Sequence, residues 1–184
     1  YTNNSVVLDH SGKSLHSKIT NYATTMRSNT AYSRAVATIV VEDSNPANFA
    51  GGQRLDITDY LGNMKRYIFK NGAGTSGVAE PTGTAGVTEG SYSGIVVQIN
   101  GAGSKNDIRD QILAAIQSSA GQNSTIDSTT SESTVTLTQR GVGSSGNTLV
   151  STSLAVTRLL LTGFEGGSVD NAGQKYLEFE DEVV

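Results

Sequence analysis

The chain has 184 residues, 36% of them hydrophobic, with 21 glycines, two prolines, no cysteine and no tryptophan. That composition suits one medium domain with a modest core and many turns, rich in β structure. A net charge of −4 with no Lys/Arg cluster excludes a nucleic-acid backbone as partner, and no apolar run is long enough to span a membrane. Without cysteine there are no disulfides, no Cys-based zinc sites and no thiol catalysis. No signal-peptide pattern is visible, and a start at Tyr1 rather than Met leaves the true N-terminus open.

Residues 1–34 read as an N-terminal arm. Val6, Val7 and Leu8 form a short apolar run. Leu15, Ile19, Tyr22 and Met26 come next at spacings of four, three and four, one stripe of a short helix that Ser14 could cap. A β-rich domain is expected over 35–168. It opens with the β-branched run AVATIVVE and a loop, NPANFAGG. In residues 53–70, RLDITD and MKRYIFK flank YLGN, where Gly62 and Asn63 suit positive φ, and the pattern predicts a β-hairpin. Residues 71–93 are rich in Gly, Thr and Ala and read as a long surface loop. GIVVQIN at 94–100 reads as a buried strand.

The clearest helix is expected over about 104–120. Ser104 is placed as its N-cap, with Asp107 three residues on. Ile108, Ile112, Ala115 and Ile116 share one face with Leu113 at its edge, and Gly121 is placed to end it. One apolar face means a helix lying on a sheet. Val135 and Leu137 alternate with Thr134, Thr136 and Thr138 in the next strand, and NTLVSTS and AVTRLLLTGF supply more. Residues 169–184 form a C-terminal arm or edge strand, with Leu177 and Phe179 on one side and Glu178 and Glu180 on the other. The fold class predicted is therefore α+β: a mainly antiparallel or mixed sheet, or a sandwich, with one principal helix packed on it and extended terminal arms.

Two glycine patterns invite a nucleotide-binding reading. Gly141, Gly143 and Gly146 are spaced G-x-G-x-x-G, and so are Gly72, Gly74 and Gly77. A dinucleotide loop needs a helix after it and an acidic residue closing a later strand. Gly146 leads into a Thr/Val/Leu-rich β pattern, Gly77 leads into loop, and Glu165 and Asp170 flank a GG pair. Both matches fail on context, so no cofactor is expected, and the glycines read as turns. Asp9, His10 and Ser11 are sequence neighbours, which does not make a triad. His10 and His16 are poorly spaced for a metal, and Asp127 and Glu132 lack a calcium-loop pattern. Glu178, Glu180, Asp181 and Glu182 read as a solvated edge. No catalytic, cofactor or metal residues are assigned. A sugar site would have to rely on Tyr60, Tyr67 and Tyr92, since tryptophan is lacking.

Three groups of residues come in a recognisable order: Leu137-Thr138-Gln139, Gly146-Asn147-Thr148 and Phe164-Glu165-Gly166-Gly167, preceded by the D-I-T-D-x-x-G hairpin and the helix. Over residues 35–168 the chain resembles a Gly/Thr-rich β-domain that recurs in structural proteins of tailed bacteriophages. The resemblance implies a non-enzymatic virion component assembled in the host cytoplasm, with the major capsid protein and further copies of the chain as partners. Head decoration, neck, fibre, tail tube and tail adaptor all fit it; a capsid decoration or cement protein is the leading expectation. A receptor- or glycan-binding module using the 71–93 loop, or a surface hydrolase, are the alternatives. The partner-binding residues expected from the arms are Val6, Val7, Leu8, Leu177 and Phe179.

Overall fold

A computed structural model describes residues 32–49, 52–72 and 79–168, together with the backbone of 6–7 and 17–18. The chain divides into two compact units, residues 1–31 with 170–184, and residues 32–169. In the first, β1 (Val6–Val7) pairs antiparallel with β2 (Ser17–Lys18), Val6 opposite Lys18 and Val7 opposite Ser17. Residues 17 and 18 are thus extended, within the stretch whose apolar spacing predicts a helix. Leu15, Ile19, Tyr22 and Met26, which carry that stripe, lie outside the described residues.

Among its described residues the second unit is a sandwich of two sheets with one α-helix. Its strands are β3 (Arg34–Val41), β4 (Arg54–Thr58), β5 (Met64–Lys70), β6 (Val87–Glu89), β7 (Tyr92–Gln98), β8 (Ile126–Ser131), β9 (Thr134–Val142), β10 (Val150–Thr152) and β11 (Leu159–Leu161); the helix is α1 (Lys105–Gln117). One sheet runs β10-β4-β5-β7-β6 and the other β11-β3-β9-β8. All pairings are antiparallel except β5 with β7, which are parallel and joined by the 71–91 crossover. This is the α+β class that the alternation and the single helical stripe predict.

Alternation decides the faces. In β3, Ala35, Ala37, Ile39 and Val41 point inward; in β9, Val135, Leu137 and Gln139 do. From the other sheet come Leu55, Ile57, Tyr67, Phe69, Ile95 and Val97. Ile108, Ile112, Ala115 and Ile116 of α1 complete a single core, with Leu113 partly buried at its edge. Phe49, in the loop after β3, is fully buried beside Phe69, with ring centroids 5.6 Å apart.

The helix starts as expected: Ser104 Oγ accepts from Asp107 N at 3.2 Å. Asp107 reaches back one residue further than a capping box, its carboxylate accepting from Gly103 N at 2.9 Å. The helix ends at Gln117, short of 120, because Ser118 caps it and Gly121 N turns back to Ser118 Oγ at 3.0 Å. Gly121 serves this close return, where a Cβ would strike the carbonyls of Ile116 and Ala115.

The predicted hairpin over 53–70 forms as β4 and β5. Asp59, nearly buried, closes its turn by accepting from Leu61 N at 3.0 Å and Asn63 N at 2.9 Å. Gly62 takes positive φ (83°); Asn63 does not. Within the 71–93 stretch, residues 79–93 hold regular structure that the composition does not suggest, and 73–78 lie outside the described residues. The stretch contains β6 and the start of β7, which form a hairpin across Gly90 and Ser91, and Gly83 N donates to Val96 O at 2.8 Å. Short Thr-containing strands supply backbone pairing without bulky side chains, which is why composition alone hides them.

At the β8–β9 hairpin the connection is Glu132–Ser133, and Glu132 is the one non-glycine at positive φ (49°) among the described residues. Glycine prefers the first central position of such a turn. Glu132→Gly is therefore expected to stabilise the domain by about 0.5–1 kcal/mol, read as a higher urea midpoint at unchanged slope.

Candidate functional site

Residues of the Leu-Thr-Gln, Gly-Asn-Thr and Phe-Glu-Gly-Gly groups converge on one place, where β9 leaves its sheet. Gln139 is the last inward residue of β9 and is fully buried. Its Oε1 accepts from Tyr60 N at 3.0 Å, and its Nε2 donates to Thr58 O and to Thr148 Oγ1, each at 3.1 Å. Thr148 Oγ1 donates in turn to Thr58 O at 2.5 Å. Asn147 exchanges two bonds with one residue: Gly167 N donates to its Oδ1 at 2.8 Å, and its Nδ2 donates to Gly167 O at 2.9 Å. Phe164 N donates to Thr148 O at 3.0 Å, and the Phe164 ring enters the core.

The glycines of the same region are packing devices. A Cβ at Gly141 would enter the Tyr60 ring, and one at Gly146 would lie 3.2 Å from Ala35 Cβ. Gly143 takes φ 101° as the chain turns into a short 3-10 turn, Ser144–Gly146, and then into β10. The G-x-G-x-x-G spacing thus leads into a strand, with no helix N-terminus aimed at a phosphate. The polar side chains of the motif satisfy this chain's own backbone.

Two charged clusters lie on the other sheet. Arg66 forks onto Asp56, Nε to Oδ1 at 2.8 Å and an outer nitrogen to Oδ2 at 3.1 Å, with Arg54 3.5 Å away. Both guanidiniums lie over the Tyr92 ring, at 4.5 Å for Arg54 and 5.0 Å for Arg66. Lys70, almost buried, pairs with Glu80 at 2.8 Å and Glu89 at 3.2 Å and ties the crossover to the sheet. Gln98 Nε2 assists by donating to Gly72 O and Glu80 O, each at 3.2 Å.

Glu80 holds the Lys70 ammonium above the usual lysine range, and Lys70 holds the Glu80 carboxyl below the usual carboxylate range. Glu80's share of stability is present above the ordinary carboxylate value of 4.5 and is lost as pH falls through the lowered one. Lys70's share is present below its ordinary 10.5 and is lost as pH rises through the raised one. Thermal midpoints are expected to be flat between these limits and to fall outside them, with Lys70→Met removing Lys70's contribution to the alkaline fall.

Of the three tyrosines that could face a sugar, Tyr67 is fully buried and gives its hydroxyl to Gln122 Oε1 at 3.3 Å; burial raises its pKa strongly. Tyr60 packs on Gly141 and Tyr92 lies under the two arginines. An open groove of about 540 Å³ lies at the start of the parallel pair, lined by Lys65, Arg66, Gly86, Ser93 and Gly94 among others. Asp127 is taken by Arg140 at 2.7 Å and Arg34 at 3.2 Å, while Glu132 sits on its turn. Among the described residues, no three His, Cys, Asp or Glu side chains are grouped as a metal site would need.

Of the expected partner-binding residues, Val6 and Val7 fall in β1; Leu8, Leu177 and Phe179 lie outside the described residues. So do Asp9, His10, Ser11, His16, Asp170 and the acidic run from Glu178. The outer face of the β11-β3-β9-β8 sheet is not among the places to which the sequence motifs point. The pairings set Thr129, Thr136, Thr38 and Thr162 in one row across it, next to a row of Ser131, Thr134, Val40 and Leu160. The threonines alternating with Val135 and Leu137 are the signal in the sequence that could have revealed it. No protein-family model, curated protein or solved structure matches the chain.

Proposed function

We propose that this chain is a non-enzymatic structural protein of a tailed-phage virion, a head decoration or cement protein that contacts the major capsid protein and neighbouring copies. The observation that carries this reading is the use made of the phage-like motif. Gln139, Asn147, Thr148 and Gly167 are spent on holding strand ends together, as a scaffold requires. The outer side of the second sheet supports it: away from the Asp127–Arg34–Arg140 cluster it presents uncharged Thr, Val and Leu side chains, which can be covered at little desolvation cost. Contacts of this kind add up when each copy touches several others.

The arms are the proposed attachment segments. Replacing Val6, Val7 and Leu8, or Leu177 and Phe179, with serine is expected to abolish co-sedimentation with capsids that lack the protein, while far-UV circular dichroism stays unchanged. Unfolding of the domain in these variants would instead assign those residues to its own core. The groove beside Lys65 and Ser93 favours a second reading, a receptor- or glycan-binding module on the neck, tail or fibre. A glycan array with selective hits would move the assignment there.

A further inference from the structure

We propose that strand β8 is a self-association edge, and that two copies join their four-stranded sheets into one eight-stranded sheet across it. Edge strands are normally blunted by charge, proline, bulges or shortness. Among the described residues the other sheet edges are the two-residue strands β1 and β2 and the three-residue strands β6, β10 and β11. β8 has six residues, no proline and no break in its register with β9. Its one charge, Asp127, is already neutralised by Arg34 and Arg140.

The hydrogen-bonding direction of each β8 residue is set by the hairpin. The two-residue connection makes Ser131 and Thr134 a bonded pair, so Thr129–Thr136 and Asp127–Thr138 are bonded pairs as well. Two bonds outside the strand agree with this. Arg140 N donates to Thr125 O at 2.9 Å, in the same phase, whereas Ile126 N turns away from β9 to Gln122 O at 2.9 Å. The N–H and C=O groups of Ser128 and Thr130 therefore point out of the sheet edge, with no backbone partner among the described residues.

These groups are self-complementary about a two-fold axis at Thr129. In that antiparallel register Ser128 of one copy faces Thr130 of the other, twice over. Both pairs are of the bonded kind, and the four N–H groups meet the four C=O groups. Thr129 meets its own copy, and cross-strand Thr–Thr pairs are favourable. Asp127 faces Ser131, so no like charges oppose each other. The threonine row on the outer face continues from one copy into the next. The contact is isologous, the kind that a two-fold dimer, the commonest homo-oligomer, requires.

This edge supplies the copy-to-copy contact of the function proposed above, and it can fail without that function failing. The chain has no cysteine, so Thr129→Cys introduces a single thiol. A non-bonded pair places the two Cα atoms about 4.5 Å apart, within disulfide reach of about 4.4–6.8 Å. Ser131→Cys is the control, because the same register separates its two copies by roughly 14 Å at 3.4 Å per residue. Mild oxidation of the full chain is expected to convert Thr129→Cys, and not Ser131→Cys, to a covalent dimer. Sedimentation equilibrium of the unsubstituted chain is expected to show a monomer–dimer equilibrium. Thr130→Pro, which removes a donor that β9 does not use, should weaken that equilibrium by at least about tenfold. A chain that stays monomeric throughout, or equal cross-linking of the two cysteine variants, would overturn the proposal. Loss of capsid binding with the dimer intact would count against the virion function alone.

Discussion

Gln139→Ala is expected to lower the unfolding free energy by about 3–5 kcal/mol, as much as truncating a large apolar core residue. Gln139 has no exposed surface and makes three side-chain hydrogen bonds, to Tyr60 N, Thr58 O and Thr148 Oγ1. Truncation leaves Tyr60 N without that acceptor, and it leaves a cavity as well. Each orphaned group costs about 1–3 kcal/mol and the lost volume adds to it. Urea unfolding followed by circular dichroism measures the sum. Gln139→Leu is the informative companion: it refills the volume but not the bonds, so it should recover only part of the loss. Recovery of full stability by leucine would mean that the bonds contribute nothing.

The second large effect is expected at Gly167. A Cβ there would lie 2.5 Å from Gly143 O, 2.9 Å from Asn147 Oδ1 and 3.0 Å from Ala35 Cβ. The nearest of these is backbone, which cannot swing aside as a long side chain can. Gly167→Ala must therefore displace the 163–168 segment or break the paired bonds to Asn147. A cost of about 2–4 kcal/mol is expected, in the range of overpacked sites. Gly166→Ala, next to it, separates packing from backbone strain. Gly166 has open space around its Cβ but φ 79°, so its cost should be confined to strain, about 1–2 kcal/mol. Equal effects at the two positions would show that close packing at Gly167 is not the cause.

Much of the fold was legible because it rests on local periodicity. The alternation of AVATIVV and of TVTLT places Ile39, Val41, Val135 and Leu137 inward, and the stripe of Ile108, Ile112, Ala115 and Ile116 settles which way α1 faces. Pairing between distant strands leaves no such trace. The parallel partnership of β5 with β7 and the short β6 depend on the crossover anchored by Lys70. The central polar residue of the motif was within reach of the same logic. Gln139 continues the inward phase of Val135 and Leu137, and a glutamine at a core position signals a buried hydrogen-bonding role. Tyr67, in phase with Phe69, is excluded as a sugar platform on the same grounds. The arm residues Leu8, Leu177 and Phe179 rest on their sequence pattern alone.

The proposal that the chain is a virion structural protein is tested most directly by quantitative mass spectrometry of virus particles purified from the source of the sequence, scaled to the major capsid protein. A decoration or cement role predicts a copy number of the same order as the capsid protein itself. A chain absent from purified particles would contradict that claim.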